Sequence, residues 1–504
     1  MGVVFRQSIK TTIVIFVGAI LGAIIIWLST QNLSKQNLGF MRQLTSYAVI
    51  GTQLLLLGTQ NTISVYIHKY ATSKSKRGVL LAGSLLLPII IVPFCSIFYF
   101  LFKNNIIHFL FKAQDVVLVG KYFMWLPIFS FLMMYQVILE QYLVSQVIVA
   151  LSAFIREVLL RLCNIITILL FGFGYITFSV FIAANVLVYI IPIIIYFILS
   201  IRTKSFSLSF NYKSFTSAEI KEVIEFTFYH SLLSLSITLM GSLDTIMLGK
   251  LDRYGLVSVG IYVNAIFFIS ILQMPYKAMY SASFPIIASA FKDNNILKVR
   301  DLFKRSSLNI LIGATLMAII IICNIDNAIL LLPKGYEVIK PLVIILILGS
   351  FTDMATGMNS QILSISKYYK YNFYGSIILV MLMIILNVLL IPKIGIYGAA
   401  WSTTIGLMIF NINKCYYVWR KLNLQPFSTA TILILLSGIP AFCIGYFLPT
   451  FFINIKNVYA HSFFDTMLRC SLVSIIYFLM LLWLKPSPDL TEYFNSIFKN
   501  KKLF

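Results

Sequence analysis

The sequence has 504 residues, of which 60% are hydrophobic and 11% are charged, and its mean hydropathy is +0.93. Soluble globular domains carry about 25% charged residues, so the composition excludes one and indicates a polytopic membrane protein. The net charge of +23 reflects basic residues retained in cytoplasmic loops, and we expect no nucleic-acid partner. The six cysteines are scattered without a C-x-x-C pair, so neither a disulfide framework nor a metal site is predicted.

Apolar segments long enough to cross a bilayer follow one another along the whole chain. They are predicted to be helices, because strands of a membrane barrel would alternate in polarity over about ten residues. The first segment follows Arg6 and Lys10 and is interpreted as an uncleaved span, since no small-residue cleavage site comes before the polar residues 29–36. The fourteen predicted spans are residues 9–30, 43–67, 79–102, 118–144, 147–171, 175–201, 221–249, 257–287, 307–332, 340–365, 371–391, 396–419, 427–453 and 463–484.

Basic residues are distributed unequally between the two predicted sides of the membrane. The side with the N-terminus, the even-numbered loops and the C-terminus holds about twice as many Lys and Arg as the other side. It includes the clusters Lys74–Arg77 and Lys298–Arg305. Because cytoplasmic loops carry an excess of Lys and Arg, both termini are predicted to be cytoplasmic.

An internal repeat divides the chain. A shift of 220 or 221 residues aligns Gly39-Phe40 with Gly260-Ile261, Gly174-Tyr175 with Gly395-Ile396, and residues 141–145 with residues 361–365. Chance similarity between apolar segments is the alternative to a duplication. With an even number of helices in each half, the repeat is parallel. The predicted parts are an N-lobe of six helices (1–201), a cytoplasmic linker (202–220), a C-lobe of six helices (221–421), two appended helices (422–484) and a cytoplasmic tail (485–504).

The most specific motif is LNVLLIPKIGIYGAAWSTTIG, residues 386–406. Pro392 is expected to end one helix, while Gly395 and Gly398 allow a tight turn and close packing of the next. The segment resembles the junction of helices 11 and 12 in bacterial polysaccharide flippases. These are the Wzx-type polysaccharide transporters of the MOP superfamily, which also contains the MATE exporters and the lipid II flippase. Residues 244–250, 259–262 and 283–287 resemble the helix 7 to helix 8 region of the same family, whereas residues 171–175 lack the proline of the junction and leave the subtype open.

This resemblance implies an all-α, MATE-like fold with about fourteen transmembrane helices in the bacterial inner membrane. It also implies the translocation of an undecaprenyl-pyrophosphate-linked oligosaccharide from the cytoplasmic to the periplasmic leaflet, by alternating access of the two lobes. The product would serve O-antigen or another cell-surface polysaccharide. The expected partners are this lipid-linked substrate, membrane lipids and the polysaccharide polymerase machinery. We expect no catalysis and no cofactor, with possible coupling to H⁺ or Na⁺.

Three cations inside the predicted spans are candidates for substrate binding, because a charged side chain at membrane depth costs about 2.5–3.5 kcal/mol on insertion scales. Arg156 lies about nine residues into its span, roughly 14 Å at 1.5 Å per residue, and its guanidinium could bind the pyrophosphate bidentately. A structural pair with Glu140 or Glu157 is the alternative. Arg161 follows Glu157 by four residues, the spacing at which the two would pair on one helix face. Lys277 could face the cavity or partly extend toward the cytoplasm.

Four acidic residues, Asp244, Asp353, Glu140 and Glu157, are candidates for ion coupling, because a carboxylate enclosed in a membrane protein binds protons or cations. Asp244 could instead form an interfacial ion pair with Lys250. Asp353 could instead bind nearby hydroxyl groups or pair with a cation.

Two other functions compete with the flippase. A MATE-type exporter of organic cations should present acidic residues in its cavity, whereas cations at depth suit an anionic pyrophosphate. An O-antigen polymerase or a lipid-dependent glycosyltransferase would need a large periplasmic loop or a soluble catalytic domain, and the longest predicted loops have roughly fifteen to twenty residues.

Overall fold

The computed structural model describes residues 2–70, 72–203, 205–293, 295–449, 457–487 and 489, and all the regular structure in them is helical. The first half contains α1 (Gly2–Asn32), α2 (Lys35–Leu56), α3 (Thr59–Lys69), α4 (Lys74–Leu110), α5 (Val116–Tyr122), α6 (Trp125–Ser145), α7 (Val149–Phe154), α8 (Leu160–Gly172), α9 (Phe178–Leu187) and α10 (Ile190–Arg202). The second half contains α11 (Ser217–Leu251), α12 (Leu256–Leu272), α13 (Met274–Lys292), α14 (Ile296–Leu330), α15 (Ile339–Ala355), α16 (Asn359–Ile365), α17 (Tyr369–Ile394), α18 (Ile396–Leu422), α19 (Thr429–Phe447) and α20 (Val458–Leu484). The predicted all-α fold is confirmed.

Nine helical segments of the described chain are long and apolar enough to cross a membrane. A tenth is formed by α15 and α16, which are bent by 45° at their junction. The four remaining predicted spans coincide with α2–α3, α7–α8, α12–α13 and α18. Three of these four are interrupted helices, which a membrane tolerates where neighbouring helices or water satisfy the freed backbone groups. The chain is therefore a multi-pass membrane protein whose broken spans are interspersed with continuous ones.

Three pairs of corresponding helices in the two halves end at the same separation in sequence. Leu110 and Leu330 end α4 and α14, Ser145 and Ile365 end α6 and α16, and Arg202 and Leu422 end α10 and α18, each pair 220 residues apart. Chance similarity between apolar segments would not place the ends of three helix pairs at one offset. The helix ends agree with the predicted duplication, and its parallel orientation stays a prediction.

Polar N-caps start several helices before their apolar segments begin. The Ser73 hydroxyl accepts a hydrogen bond from the Lys76 N–H, and the Asn295 side chain accepts one from the Lys298 N–H. Caps of this kind satisfy backbone donors that have no partner inside the helix. The clusters Lys74–Arg77 and Lys298–Arg305, assigned to loops from sequence, therefore lie in the first turns of α4 and α14.

The expectation that Pro392 ends its helix was wrong by two residues. Pro392 lies inside α17, which continues to Ile394. The missing N–H of a proline costs a helix one hydrogen bond, and the next residues can still complete the last turn. The turn is made instead by Gly395, whose φ of +60° belongs to the left-handed region that favours glycine.

The contacts of the chain group it into two units. One contains Met1–Val263 and Asn387–Ala399, and the other contains Asn264–Leu386 and Ala400–Phe504. In the first unit, the buried cores lie mainly around α2, α4 and α6. In the second, α14 packs with α19 and α20. The first unit includes α11, which packs along α2 and α3. The lobes drawn from sequence at 1–201 and 221–421 are a different division and stay a prediction.

Candidate functional site

A π-helical turn interrupts the fifth predicted span between α7 and α8. It covers Ile155–Leu159 and therefore contains Arg156 and Glu157, two of the predicted site residues. Single π-turns inside α-helices are rare and frequently occur at functional sites, because they change which side chains face a neighbour. The irregular backbone thus coincides with the strongest candidate residue of the sequence.

Arg156 contacts both of the carboxylates that the sequence offered as structural partners. Its Nη1 donates to Oε1 of Glu140 at 2.5 Å, and its Nε donates to Oε1 of Glu157 at 3.0 Å. The Arg156 side chain remains 43% exposed, whereas that of Glu140 is 6% exposed and that of Glu157 is 18% exposed. The cation is accessible while its counter-ions are enclosed.

Arg161 completes this group. Its Nη2 donates to Oε2 of Glu157 at 2.6 Å, so the predicted pair four residues apart is present. Its Nη1 donates to the backbone carbonyl of Gly18 in α1. We name Glu140, Arg156, Glu157 and Arg161 the Arg156 cluster. Its two positive and two negative charges balance.

Helix α1 lies close to the Arg156 cluster because it presents glycines there. A Cβ at Gly18 would fall 2.8 Å from Cβ of Glu157, and one at Gly22 would fall 2.6 Å from Nη1 of Arg161. Both distances are shorter than real Cβ contacts, so any larger residue would force the helices or the guanidinium apart. The two glycines therefore set the spacing between α1 and α8.

The same seam between α1 and α8 continues to a cavity of about 180 Å³. Its polar lining residues are Ser29 of α1, Arg42 and Thr45 of α2, Asn164 of α8 and Asn185 of α9. We name this space the Arg42 cavity, after its single charged lining residue. Arg42 was missed from sequence because the second span was drawn to begin at residue 43, which assigned the charge to a loop.

Asp244 lies in a different part of the first unit. The hydroxyl of Tyr262 donates to its Oδ2 at 3.2 Å, and Nδ2 of Asn387 donates to its Oδ1 at 3.3 Å. The ion pair expected with Lys250 is not found between these two described residues. Instead, the Lys250 ammonium donates to the carbonyls of His108 and Phe111 at 2.7 and 3.0 Å. Backbone carbonyls left without a partner at the end of α4 thus take the place of the carboxylate.

The second unit holds the other two predicted residues. Lys277 lies on α13 with an exposed side chain. Asp353 of α15 lies 4.0 Å from the Lys414 ammonium, which also donates to the Ser360 hydroxyl at 2.7 Å and lies 4.1 Å from the Phe410 ring. The alternative of a cation partner for Asp353 is therefore the arrangement found. Lys414 was not offered as a candidate from sequence, although it lies inside the predicted span 396–419, and that position was the signal that could have found it.

A surface pair joins α3 to the start of α11. The Lys69 ammonium donates to the Glu222 carboxylate at 2.6 and 2.7 Å, and this hydrogen bond raises the pKa of Lys69. Both side chains are about half exposed, so solvent screens most of the attraction. This pair orders two helix ends and is not a candidate for transport.

The described helices and the intramembrane charges define a polytopic membrane transporter. A sequence model of the polysaccharide biosynthesis protein family matches residues 4–291, more than half of the chain, and the protein belongs to this family. The family resemblance drawn from the motif at 386–406 is thereby confirmed. No curated protein matches the sequence.

Solved structures share the fold at low sequence identity. The lipid II flippase MurJ in an inward closed conformation is 15% identical, with a TM-score of 0.72, and the match covers 95% of this chain and 99% of MurJ. An inward-facing MATE family multidrug transporter is 15% identical, with a TM-score of 0.66 and coverage of 82% and 98%. A MOP superfamily transporter from Pyrococcus furiosus, described by a reverse polarity of its binding pocket, is 16% identical, with a TM-score of 0.58 and coverage of 84% and 95%. These matches confirm the MATE-like fold.

Proposed function

We propose that the protein is a flippase that moves an undecaprenyl-pyrophosphate-linked oligosaccharide from the cytoplasmic to the periplasmic leaflet by alternating access. Its product serves O-antigen or another cell-surface polysaccharide, so polymerase machinery is the expected downstream partner. Membership of the polysaccharide biosynthesis family supports the process. The observation that carries the substrate class is the accessible Arg156 guanidinium on a π-turn within an apolar span.

The guanidinium of Arg156 suits a pyrophosphate. Its planar donors match two oxygens of a phosphate at once, a geometry that a lysine ammonium does not offer. The donors used in this conformation point to Glu140 and Glu157. Substrate therefore binds by exchange, with phosphate oxygens replacing carboxylate oxygens at Arg156.

This exchange couples transport to a cation. When the pyrophosphate binds Arg156, the carboxylate of Glu140 loses its counter-ion. Glu140 is enclosed, and an unpaired charge is costly there. A proton bound by Glu140 neutralises this carboxylate, which makes the protein a proton-coupled flippase. Asp244, held by Tyr262 and Asn387, and Asp353 beside Lys414 are further candidates for H⁺ or Na⁺.

The orientation follows from charge. The basic residues around the starts of α4 and α14 belong to the set of segments that the excess of Lys and Arg assigns to the cytoplasm, and both chain termini are expected there too. The membrane is the bacterial inner membrane, where the lipid-linked precursor is exposed first to the cytoplasm. No step in this proposal makes or breaks a covalent bond, so the protein acts as a transporter and not as an enzyme.

A leaflet-resolved assay tests the proposal. Cells depleted of the protein are treated from the periplasmic side with a membrane-impermeant sugar-modifying probe, and lipid-linked glycans are then extracted. The expected result is accumulation of glycan protected from the probe, reversed by the wild-type chain. Arg156→Ala should not reverse it, whereas Arg420→Ala, which removes an exposed arginine at the end of α18, should.

Three other results would overturn the flippase. Unchanged exposure with shortened polymer indicates polymerisation. Unchanged exposure with unchanged polymer, together with increased sensitivity to organic cations, indicates a MATE-type exporter. Full reversal by Arg156→Ala removes Arg156 from the substrate site.

A further inference from the structure

We propose that the Arg42 cavity is a second anion site, which binds the pyrophosphate group of the lipid-linked substrate after the Arg156 cluster. The proposal rests on the proposed function, because the flippase supplies the pyrophosphate. It assigns a binding role to Arg42, Ser29 and Asn164, which no sequence motif indicated.

The first observation is an arginine whose Nε has no partner in the part of the chain that the structure describes. The Nε of Arg42 is buried and has no hydrogen-bond acceptor among the described residues, and no ion pair joins Arg42 to a described carboxylate. A buried guanidinium donor without an acceptor is costly, since arginine stays charged. Native structures seldom leave such a group unsatisfied without a ligand, an ion or water to complete it.

The second observation is the lining of the space that Arg42 faces. Oδ1 of Asn164 is also buried without a partner in the described chain, and a half-turn of this amide would present its NH₂ donors instead. The amide of Asn185 is already used, since its Nδ2 donates to the Phe181 carbonyl at 3.0 Å. The remaining donors are those of Arg42, Asn164 and Ser29. No carboxylate belongs to the described lining, so the cavity carries one uncompensated positive charge.

The third observation is size. A space of about 10–15 Å³ already holds one water molecule, so a cavity of about 180 Å³ has room for a phosphate-sized group.

The cavity is also connected to the first anion site. Glu157, Arg161 and Asn164 share the α8 face toward α1, and Asn164 lies eight residues beyond Arg156, about 12 Å along the helix. On α1, Gly18 and Gly22 lie against the cluster, while Ser29 lines the cavity. One helix seam thus runs from Arg156 to the Arg42 cavity, and an anion released by one meets the other within the first unit.

A binding experiment tests the site separately from transport. The full-length protein is placed in nanodiscs of phosphatidylcholine and titrated with inorganic pyrophosphate by calorimetry at low and high salt. The wild type should bind, more weakly at high salt. Arg42→Gln should weaken binding by at least about tenfold, Arg42→Lys should weaken it less, and Ser29→Ala should weaken it by about threefold. The exposed-site control Arg420→Gln should bind as the wild type does.

If Arg42→Gln bound pyrophosphate with wild-type affinity, and thermal unfolding showed that the variant is folded, the proposal would be overturned. So would equal losses in Arg42→Gln and Arg420→Gln, which would indicate general attraction by net charge. Repeating the titration in nanodiscs with phosphatidylglycerol distinguishes the source of the phosphate. Unchanged affinity supports a substrate site, whereas strong competition would assign the cavity to a phospholipid headgroup.

The flippase and the anion site can fail independently. Normal glycan exposure in depleted cells, with Arg42-dependent pyrophosphate binding, would remove the flippase and keep the site. Blocked exposure with no effect of Arg42→Gln on binding would keep the flippase and remove the site.

Discussion

Two arginine-bearing regions of the first unit solve the problem of a charge among apolar helices in opposite ways. At the Arg156 cluster, each guanidinium has a carboxylate partner, and the charges balance. In the Arg42 cavity, the guanidinium has no described carboxylate partner and faces open space. The first arrangement is stable without a ligand and must exchange partners to bind one. The second is costly without a ligand, and a bound anion would offset that cost.

The comparison predicts that breaking the balanced cluster has the largest effect on stability. Arg156→Ala leaves Glu140 enclosed without its closest cation, and we expect it to lower the free energy of unfolding by about 3 kcal/mol. Because Arg156→Ala also disturbs folding, the sharper variant replaces both Arg156 and Glu140 by Gln. This double variant should recover most of the stability in detergent unfolding measurements but should not transport. Equal stability of Arg156→Ala and the wild type would contradict the structural pairing.

Replacing the glycines of α1 that contact the Arg156 cluster should have the next largest effect on stability. Gly18→Ala sets a methyl group against Cβ and the backbone of Glu157, which cannot move away cheaply, so we expect a loss of about 1–3 kcal/mol in the free energy of unfolding. Gly22→Ala meets only the mobile end of Arg161, so its effect should be smaller.

Gly83→Ala on α4 is the matched control, because no atom lies within 4 Å of its added Cβ. Alanine favours a helix over glycine by up to about 1 kcal/mol, so this control should be neutral or stabilising. The same thermal unfolding series measures all three variants. A stabilising Gly18→Ala would show that α1 and α8 are not held at this spacing.

Replacing the arginine of the Arg42 cavity should not lower the free energy of unfolding in the way that replacing Arg156 does. Arg42→Gln removes a charge that lacks a described partner, so the free energy of unfolding should change by less than about 1 kcal/mol or rise. Unfolding measurements on Arg42→Gln and the wild type in the absence of pyrophosphate check this expectation. A loss as large as that of Arg156→Ala would mean that Arg42 has a structural acceptor, and the two regions would then not differ.

Most of the scaffold could be predicted from the sequence. The helices could be predicted because each span is a continuous apolar segment, and glycines 221 residues apart indicated the repeat. The pair of Glu157 and Arg161 follows from helical spacing alone, and Glu140 could be offered as a partner of Arg156 only as one of two alternatives. The contact of Glu140 with Arg156 joins α6 to the π-turn, a tertiary fact that spacing does not contain.

The two missed cations, Arg42 and Lys414, were missed for different reasons. Ending a predicted span at the first charge assigns that charge to a loop, although helices continue past their apolar parts through caps and polar turns. Arg42 was lost in this way and lies inside α2, whereas Lys414 lies within both the predicted span 396–419 and α18 and was not offered as a candidate. The π-turn has no sequence signal of its own. Arg156 could therefore be predicted as a candidate, but its π-turn and the helical position of Arg42 could not.

The smallest effect is expected at the exposed pair of Lys69 and Glu222. Lys69→Gln should change the unfolding temperature only slightly, and the difference should vanish at high salt. Since Glu222 raises the pKa of Lys69, the pair's contribution is complete below the ordinary lysine pKa of about 10.4 and is lost as pH rises through the higher folded value. The difference between wild type and variant should therefore be constant at neutral pH. A pH-dependent difference there would implicate another group.

The most direct test of the central claim is flipping by the purified protein. Proteoliposomes that contain an undecaprenyl-pyrophosphate-linked oligosaccharide are treated with an impermeant glycan-modifying enzyme, and the protected fraction is followed with time under an imposed proton gradient. The account predicts loss of protection with the wild-type protein, and protection as in empty liposomes when Arg156 and Glu140 are both replaced by Gln. Flipping by this neutral pair at the wild-type rate would contradict the claim that Arg156 carries the pyrophosphate.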